Sequence, residues 1–453
     1  MITNQEYAYR RHLFLEKMKN NSVAILYSGT LLKASADQTF PFEVNRNFYY
    51  LTGIRQPDSM LVLVKVAGNT NVFLFIDEVD PNRVKWTGKM LSTLEASEIS
   101  GIKDVLYTKH FESRIELLLD GQKNAYGRIE NLYLDLETGL FVTREKTTKD
   151  IAFEMSKKYF GLNVEDAYPL VVKLRMIKSK AEIEEIRNSI KVTKLGLEAI
   201  LKRLKPGLYE YQIASLFQYV IADHNNSGLA FETIAAGGEN AVILHYPNPT
   251  SLLKENTLLL LDLGAEKNLY RADISRTYPV SGKFNGRHKE IYEMVLRCNV
   301  AVANFVRPGI TLGDVQKFAF EFLKTELVGH DYVNLDKVKE DAKNEILNRE
   351  LIAPLSEEEK QNIYKQKEHE AVFRYYYHNV GHHLGLDTHD ASFRDMKLEP
   401  GMVITDEPGL YFAEYGIGVR IEDDLLITEN GCEVLSKEII KEVKDIEAFM
   451  AQK

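Results

Sequence analysis

Carboxylates embedded in apolar sequence are the first feature of this chain with chemical meaning. Asp262 lies in LLLLDLGAE and Asp273 in YRADISRTYPV, with a turn-like AEKNLY between them. Two strands joined by a short turn can present side chains on one face, so the two acids can converge on one point. An acid in such a strand is costly unless it is paired, hydrogen-bonded or bound to a cation. For this pair alone, salt bridges and turn hydrogen bonds account for the pattern as well as a metal does.

A second cluster follows in HNVGHHLGLDTHD, where His378, His382, His383 and His389 are four of the chain's 11 histidines. Clusters of this kind arise at metal sites and also as surface patches. Glu407 in ITDEPGLY and Glu422 in GVRIEDDLLIT shift the balance, because two further strands that read as buried each carry an acid with no adjacent compensation. The combined set is four carboxylates, Asp262, Asp273, Glu407 and Glu422, and one imidazole. Oxygen-rich donors with one nitrogen favour manganese, cobalt or zinc, manganese above the others because carboxylates predominate. Four carboxylates match the charge of two divalent ions, and a pair of ions can activate water and stabilise a carbonyl as it becomes tetrahedral.

The elements that must position these residues are legible in the periodicity. SVAILYSG, SMLVLVKV and NVFLFID alternate or run apolar as strands, and the stretch from Glu112 to Leu119 has helical spacing, so the first part is an α/β domain. After Pro169 the pattern changes. Ile183, Ile186, Ile190, Leu197, Ile200, Leu201 and Leu204 recur at helical spacing until Lys205-Pro206-Gly207 stops them. The boundary is placed at about residue 172, giving domains 1–172 and 173–453. Beyond it, helices over about 209–223, 286–306 and 312–325 alternate with β hairpins around 257–281 and 401–428, which indicates an α+β domain. The charged stretch 326–375 is expected to form exposed helices between the catalytic segments, and EIIKEVKDIEAFMAQ a surface helix at the end.

Composition narrows the function classes. The chain has 453 residues, enough for two domains with proper cores, and its 57 basic against 66 acidic side chains leave a formal charge of -9. That balance gives no attraction to a phosphate backbone or an anionic bilayer, so nucleic acid and membrane are not expected partners. The opening MITNQEYAYRRH lacks the apolar stretch of a secretory signal, and no run approaches the roughly 20 apolar residues that span a bilayer. Cys298 and Cys432 are the only cysteines, too few for a disulfide framework and consistent with a cytoplasmic location. Any metal must rely on carboxylates and imidazoles.

In order, DLGAE, ADISRTYPV, HNVGHHLGLDTHD, EPGLY and GVRIEDDLLIT resemble the five metal-ligand segments of the pita-bread aminopeptidase P and prolidase family. The resemblance implies a pita-bread catalytic domain and two divalent ions. Asp262 and Asp273 would be ligands, with Asp273 bridging. His382 and Glu407 would complete one metal's sphere, and Glu422 would bridge both; Glu407 would also handle protons. His245 in ILHYPNP is similar to the family histidine near the substrate proline, and His389 to the one around the scissile bond. Arg420 matches the arginine beside the bridging glutamate, and His378 the histidine that assists proton transfer. Ordinary structural accounts also exist: His245 as a loop histidine, Arg420 as an ion-pair partner and His378 as a hydrogen-bonded strand residue. His383 is expected to serve packing.

Two positions depart from the family: Asn379 stands where glycine or another small residue is usual, and Thr388 where isoleucine or valine is usual. At the front, VNRNFYYLTGI over 44–54 resembles the signature of the aminopeptidase P N-terminal domain; by its aromatics alone FYYLTG reads as a packed strand. KWTGKM, with the only tryptophan, Trp86, resembles a segment that in some relatives reaches a neighbouring subunit's site. The implied activity is metal-dependent removal of the N-terminal residue from peptides with proline second, by a homodimer or homotetramer. The alternatives are a prolidase restricted to Xaa-Pro dipeptides and, from another class, an inactive module that only binds peptides. A creatinase-like amidinohydrolase is disfavoured by the intact ligand set.

Overall fold

The computed structural model describes all residues except 1, 79–83, 87, 120–125, 137–147, 160, 225–226, 394 and 453. The chain divides into two compact units, Met1–Arg175 and Met176–Lys453.

The first unit is built on a six-stranded mixed sheet in the order Asp104–Tyr107, Asn69–Ile76, Met60–Val66, Ser22–Tyr27, Asn131–Leu134, Asn163–Asp166. Met60–Val66 and Asn69–Ile76 pair antiparallel through a two-residue turn, Ala67-Gly68, both at positive φ, the backbone that matches strand twist in tight hairpins. Val62, Val64, Phe73, Phe75, Leu132 and Leu134 form a core with Ile115 and Leu118 from the helix Phe111–Leu119. Each such side chain, fully buried, contributes about 1.5–3 kcal/mol.

The FYYLTG stretch is helical, over Arg46–Thr52, and the strand reading is corrected. Asn45 accepts the Phe48 N–H at 2.9 Å and caps the start; Gly53, left-handed at φ 72°, ends it. The aromatics are buried as expected, Phe48, Tyr49 and Tyr50 together, but on a helix that also takes the Arg10 guanidinium over the Tyr50 ring at 4.2 Å.

The second unit opens with the helix Lys180–Arg203, capped by the reciprocal Ser179–Glu182 hydrogen bonds and burying Ile186, Ile190, Leu197, Ile200 and Leu201. Glu210–Asp223 packs beside it. The strands that carry the acids are antiparallel: Leu258–Leu263 lies between Ile234–Gly237 and Ile274–Pro279, and Val403–Asp406 pairs with Asp423–Ile427. A separate ribbon joins Gly409–Phe412 to Ile417–Arg420. The turn in AEKNLY is real: Asn268 and Leu269, both at positive φ, link Ala265–Lys267 to Tyr270–Arg271.

The charged stretch forms two helices, Leu335–Glu350 and Glu357–Phe373, around a small core of Ala342, Ile346 and Ile363, with Leu351 and Ile352 exposed near the bend. At the end of the chain the helix is shorter than the apolar spacing suggests, covering Val443–Met450 only. No helix among the described residues is long and apolar enough to cross a membrane.

Candidate metal centre

Two close backbone approaches set the geometry. A Cβ at Gly264, in DLGAE, would lie 1.9 Å from the Ala272 carbonyl oxygen, so only glycine lets the chain segments bearing Asp262 and Asp273 come this near. A Cβ at Gly381 would lie 2.2 Å from the Thr405 carbonyl oxygen, which is how the loop bearing His382 closes on the strand leading to Glu407. In register, Asp262 stands opposite Ser275, two residues beyond Asp273.

The imidazole of His382 is fixed for ligation. Its Nδ1 lies 3.0 Å from the His383 carbonyl oxygen, an acceptor only, so Nδ1 carries the proton. The lone pair on Nε2 therefore faces Asp273 Oδ2 at 3.4 Å and Glu407 Oε1 at 3.5 Å. Asp273, His382 and Glu422 each offer one donor atom, all within 4.8 Å of one another. This is the donor set of a carboxylate-rich divalent site.

The surrounding electrostatics state why a cation belongs there. Burial, then the charges of Asp262, Glu407 and Asp424, push Asp273 well above the usual carboxylate range, against the pull of Arg420. Burial followed by Asp273, Glu407 and Asp262 does the same to Glu422, and burial raises Glu407 despite His382 and Arg420. Asp262 is tied differently: Arg420 Nη2 donates to its Oδ2 at 2.7 Å, and its Oδ1 is buried without a protein partner. A buried carboxylate oxygen without a partner is costly, and a metal ion at this position would satisfy it. The residues present fit a bound divalent ion.

A directed chain of hydrogen bonds runs behind the acids. Arg420 donates from Nε to Ser275 Oγ at 2.8 Å and from Nη1 to Tyr411 Oη at 2.9 Å, while Ser275 Oγ donates to Glu422 Oε2 at 2.9 Å. Tyr411 Oη in turn lies 2.9 Å from His378 Nε2. His378 Nδ1 is held by the Asn379 carbonyl at 2.8 Å, so Nε2 is the acceptor and the ring is neutral, its pKa pushed down to about 3 by burial and by Arg420. The His389 ring lies against that of His382, centroids 4.1 Å apart and tilted by 49°, its pKa also lowered by burial.

One cavity of about 700 Å³ is lined by Asp262, Asp273, His382, Glu407 and Glu422 together with His245, His378, His389 and Arg420. His383 faces away, buried, with its backbone bridged to Ile404.

The sequence reading passed over several residues that hold this site. Tyr411 ends the EPGLY motif and Ser275 sits inside ADISRTYPV; their neighbours drew attention and their hydroxyls did not. Asp424 accepts the Asp273 N–H at 3.3 Å, and a third acid in the apolar IEDDLLIT was the available signal. Glu210, fully buried, accepts from Gly237 N at 2.7 Å, Asn240 Nδ2 at 2.9 Å, Ser251 N at 2.8 Å and Tyr246 Oη at 3.2 Å, pinning the loop that carries His245. Nothing local in LYEYQIAS marks it.

Known proteins resemble this chain in sequence and fold. The profile of metallopeptidase family M24 matches residues 184–429, and that of the aminopeptidase P N-terminal domain matches residues 7–126. The Xaa-Pro aminopeptidase of Escherichia coli is 31% identical over 99% of this chain and 98% of its own length. Human Xaa-Pro aminopeptidase 3 is 28% identical over 100% of this chain and 87% of its own. Among solved structures, proline aminopeptidase P II from Yersinia pestis superposes with a TM-score of 0.84 at 30% identity, covering 100% of both chains. Zinc-substituted E. coli aminopeptidase P in complex with product gives 0.85 at 28% identity, over 100% of this chain and 99% of that one.

Proposed function

Because the chain belongs to metallopeptidase family M24 and carries an aminopeptidase P N-terminal domain, we infer its activity from what that family's pita-bread unit does with such a site. The chain is a metal-dependent hydrolase that cleaves the peptide bond between an N-terminal residue and a following proline. Full-length relatives named Xaa-Pro aminopeptidase favour this over a prolidase. The observation that carries it is the meeting of Asp273, His382 and Glu422 donor atoms within 4.8 Å, in a cavity whose four acids face the buried guanidinium of Arg420.

Asp262, Asp273, His382, Glu407 and Glu422 are assigned as the ligands of two divalent ions, manganese by preference, with cobalt and zinc as alternatives. Four carboxylates and one neutral imidazole match two double charges, and the orphaned Asp262 Oδ1 supports a second ion. Ions held there supply a Lewis acid for the scissile carbonyl and an acidified water.

The protein's own groups do the rest. Glu407, its carboxyl raised above the usual range by burial, is suited to take and return a proton. His382 stays in one tautomer through the His383 carbonyl. Arg420 orients Asp262, Ser275 and Tyr411 at once, and Tyr411 presents its hydroxyl proton to His378, so His378 serves as the acceptor end of that chain. His245 and His389 face the same cavity, where the substrate's proline is placed. Proline's tertiary amide has no N–H, so a cleft walled by Leu244, Tyr246 and Pro247 can select the ring by shape.

We place the enzyme in the cytoplasm and as a homodimer or homotetramer. Trp86, 87% exposed, supports assembly, since a lone tryptophan this bare gains from cover by another copy. The test is hydrolysis of a small panel, a Xaa-Pro dipeptide, a Xaa-Pro-Xaa peptide and a Xaa-Ala-Xaa control, with and without added manganese. Metal-stimulated cleavage of the longer proline peptide is expected. Cleavage of the dipeptide alone restores the prolidase reading, and protein that holds no metal and stays inert to all three with added manganese favours a binding module.

A further inference from the structure

Among the described residues that line the cavity, Arg271 and Arg420 are the two with a fixed positive charge. They differ in burial and in how closely they are held. Arg420 donates to Ser275, Tyr411 and Asp262 at 2.7–2.9 Å, and its side chain is buried. Arg271 is more open to the cavity and its contacts are longer. Its Nε lies 3.3 Å and its Nη2 3.2 Å from Glu266 Oε2, the residue opposite it in the hairpin. Nη1 reaches Thr388 Oγ1 at 3.4 Å.

A guanidinium has five N–H donors, and these three contacts use three of them at the long end of hydrogen-bonding distance. One N–H on each terminal nitrogen is left without a protein acceptor. The end-on edge of the fork, which takes a carboxylate through two parallel bonds, presents one N–H from each terminal nitrogen. The side chain keeps 16% exposure and contributes to the cavity wall.

The neighbours make the placement specific. Arg271 precedes Asp273 by two residues, and Thr388 precedes His389, whose ring lies against that of His382. Thr388 is also where the family usually carries isoleucine or valine. Neither could accept a hydrogen bond from Arg271, whereas threonine keeps the β-branched shape and adds the oxygen that holds the fork in this orientation. Glu266 fixes the other edge and covers only part of the charge.

We propose that Arg271 is a specificity-determining residue that binds a carboxylate of the peptide substrate, so that this chain favours peptides bringing a negative charge to the Arg271–Thr388 wall of the cleft. The inference rests on the reading of this cavity as the Xaa-Pro peptide site. Two sources have the required chemistry: the C-terminal carboxylate of a short peptide, and an acidic side chain next to the proline. Both would meet Arg271 end-on.

The experiment uses the full chain loaded with manganese and compares kcat/KM for matched substrates. One arm sets a Xaa-Pro-Xaa tripeptide against its C-terminal amide; the other sets Glu against Gln, first in the residue before proline and then in the residue after it, in otherwise identical amidated peptides. The native enzyme is expected to prefer the charged member of at least one pair by about tenfold, equivalent to about 1.4 kcal/mol. Arg271→Gln should bring that ratio to about one, and Arg271→Lys should keep part of it because the charge stays while the fork is lost. Thr388→Val should lower the ratio to an intermediate value, which keeps the test open if the Arg271 variants fold poorly. Loss in the first arm alone identifies the C-terminal carboxylate, and loss in the second an acidic side chain; either supports the proposal. A native enzyme with no charge preference in any pair overturns it, as do variants that slow charged and neutral members equally. A native enzyme that cleaves no Xaa-Pro peptide at all overturns the peptidase reading itself, a result distinct from cleavage without charge preference.

Discussion

Glu422 and Asp423 are consecutive, equally buried and opposite in character. Glu422 faces Asp273, Glu407 and Asp262, and burial among like charges pushes its carboxyl well above the usual range. Asp423 points the other way, to Arg276 Nη2 at 2.8 Å, Lys441 Nζ at 2.6 Å and Ser436 Oγ at 2.6 Å, and those cations hold it far below that range. Burial of an acid is therefore not what marks a site. What separates this pair is the neighbouring charge: Asp423 has two cations beside it, and Glu422 faces three other acids in the cavity. The compensated cluster also serves its neighbour, because Arg276 Nη1 donates to the Glu422 carbonyl oxygen at 2.5 Å and fixes the backbone from which Glu422 reaches the cavity.

The sharpest way to break this contrast is to remove each acid in turn. Glu422→Ala should cost activity, on the order of a thousandfold or more if several kcal/mol of charge stabilisation is lost, and should lower bound metal in elemental analysis. Asp423→Ala leaves the buried Arg276 and the partly buried Lys441 without their carboxylate, so it should cost about 3–5 kcal/mol of stability in chemical denaturation. Folded Asp423→Ala protein should still bind metal. Equal metal loss in both variants would mean that the two acids belong to one cluster and that the distinction drawn here is wrong.

A smaller effect separates the two acids by pH. Asp273 and Glu422 are raised in the folded, metal-free chain, so their contribution is fully present below the unfolded pKa, near 4, and is lost as pH rises toward the folded values. Asp423 is depressed, so its contribution is present above the unfolded pKa and is lost as pH falls below about 4. Metal reverses only the first effect, by stabilising the ionised carboxylates. Melting temperatures with and without manganese should therefore differ more at pH 8 than at pH 5. A stabilisation by metal that is the same at both values would place the ions on groups that do not titrate there.

The sequence carried the elements well and the compensation poorly. Apolar runs placed the strand that carries Asp262 and the one that begins just after Asp273, and the long helix ends where Pro206 and Gly207 said it would. FYYLTG misled because aromatic content favours strands, while the cap at Asn45 and the left-handed Gly53 decide for a helix. The terminal helix starts late for a tertiary reason: Arg276 takes the carbonyls of Ile439 and Ile440, and Lys441 is drawn to Asp423, so those residues cannot continue a helical ladder. Likewise nothing in GVRIEDDLLIT tells which acid meets a cation, because Arg276 and Lys441 come from distant segments. Five motifs in order were enough to name the ligand candidates, and the partners of each had to be read from the fold.

Glu210 represents a third way to bury an acid, and it sets the smallest effect. It has no cation beside it; two backbone N–H groups, an amide and a phenol donate to its two oxygens. Glu210→Gln keeps the length and one carbonyl but turns an amide group toward donors, so one of these bonds is replaced by opposed N–H groups, at a cost of about 1–3 kcal/mol in stability. The loop from Gly237 to Ser251 should loosen, and with it His245, while the acids around His382 keep their own supports. The expected kinetics are a KM for Xaa-Pro-Xaa peptides raised by a few fold, roughly what a loss under 1.4 kcal/mol produces, with metal content and kcat close to native. A fall in bound metal in this variant would show that the Glu210 network reaches the ion site, and the separation between a compensated support and an uncompensated centre would then extend no further than Glu422 and Asp423.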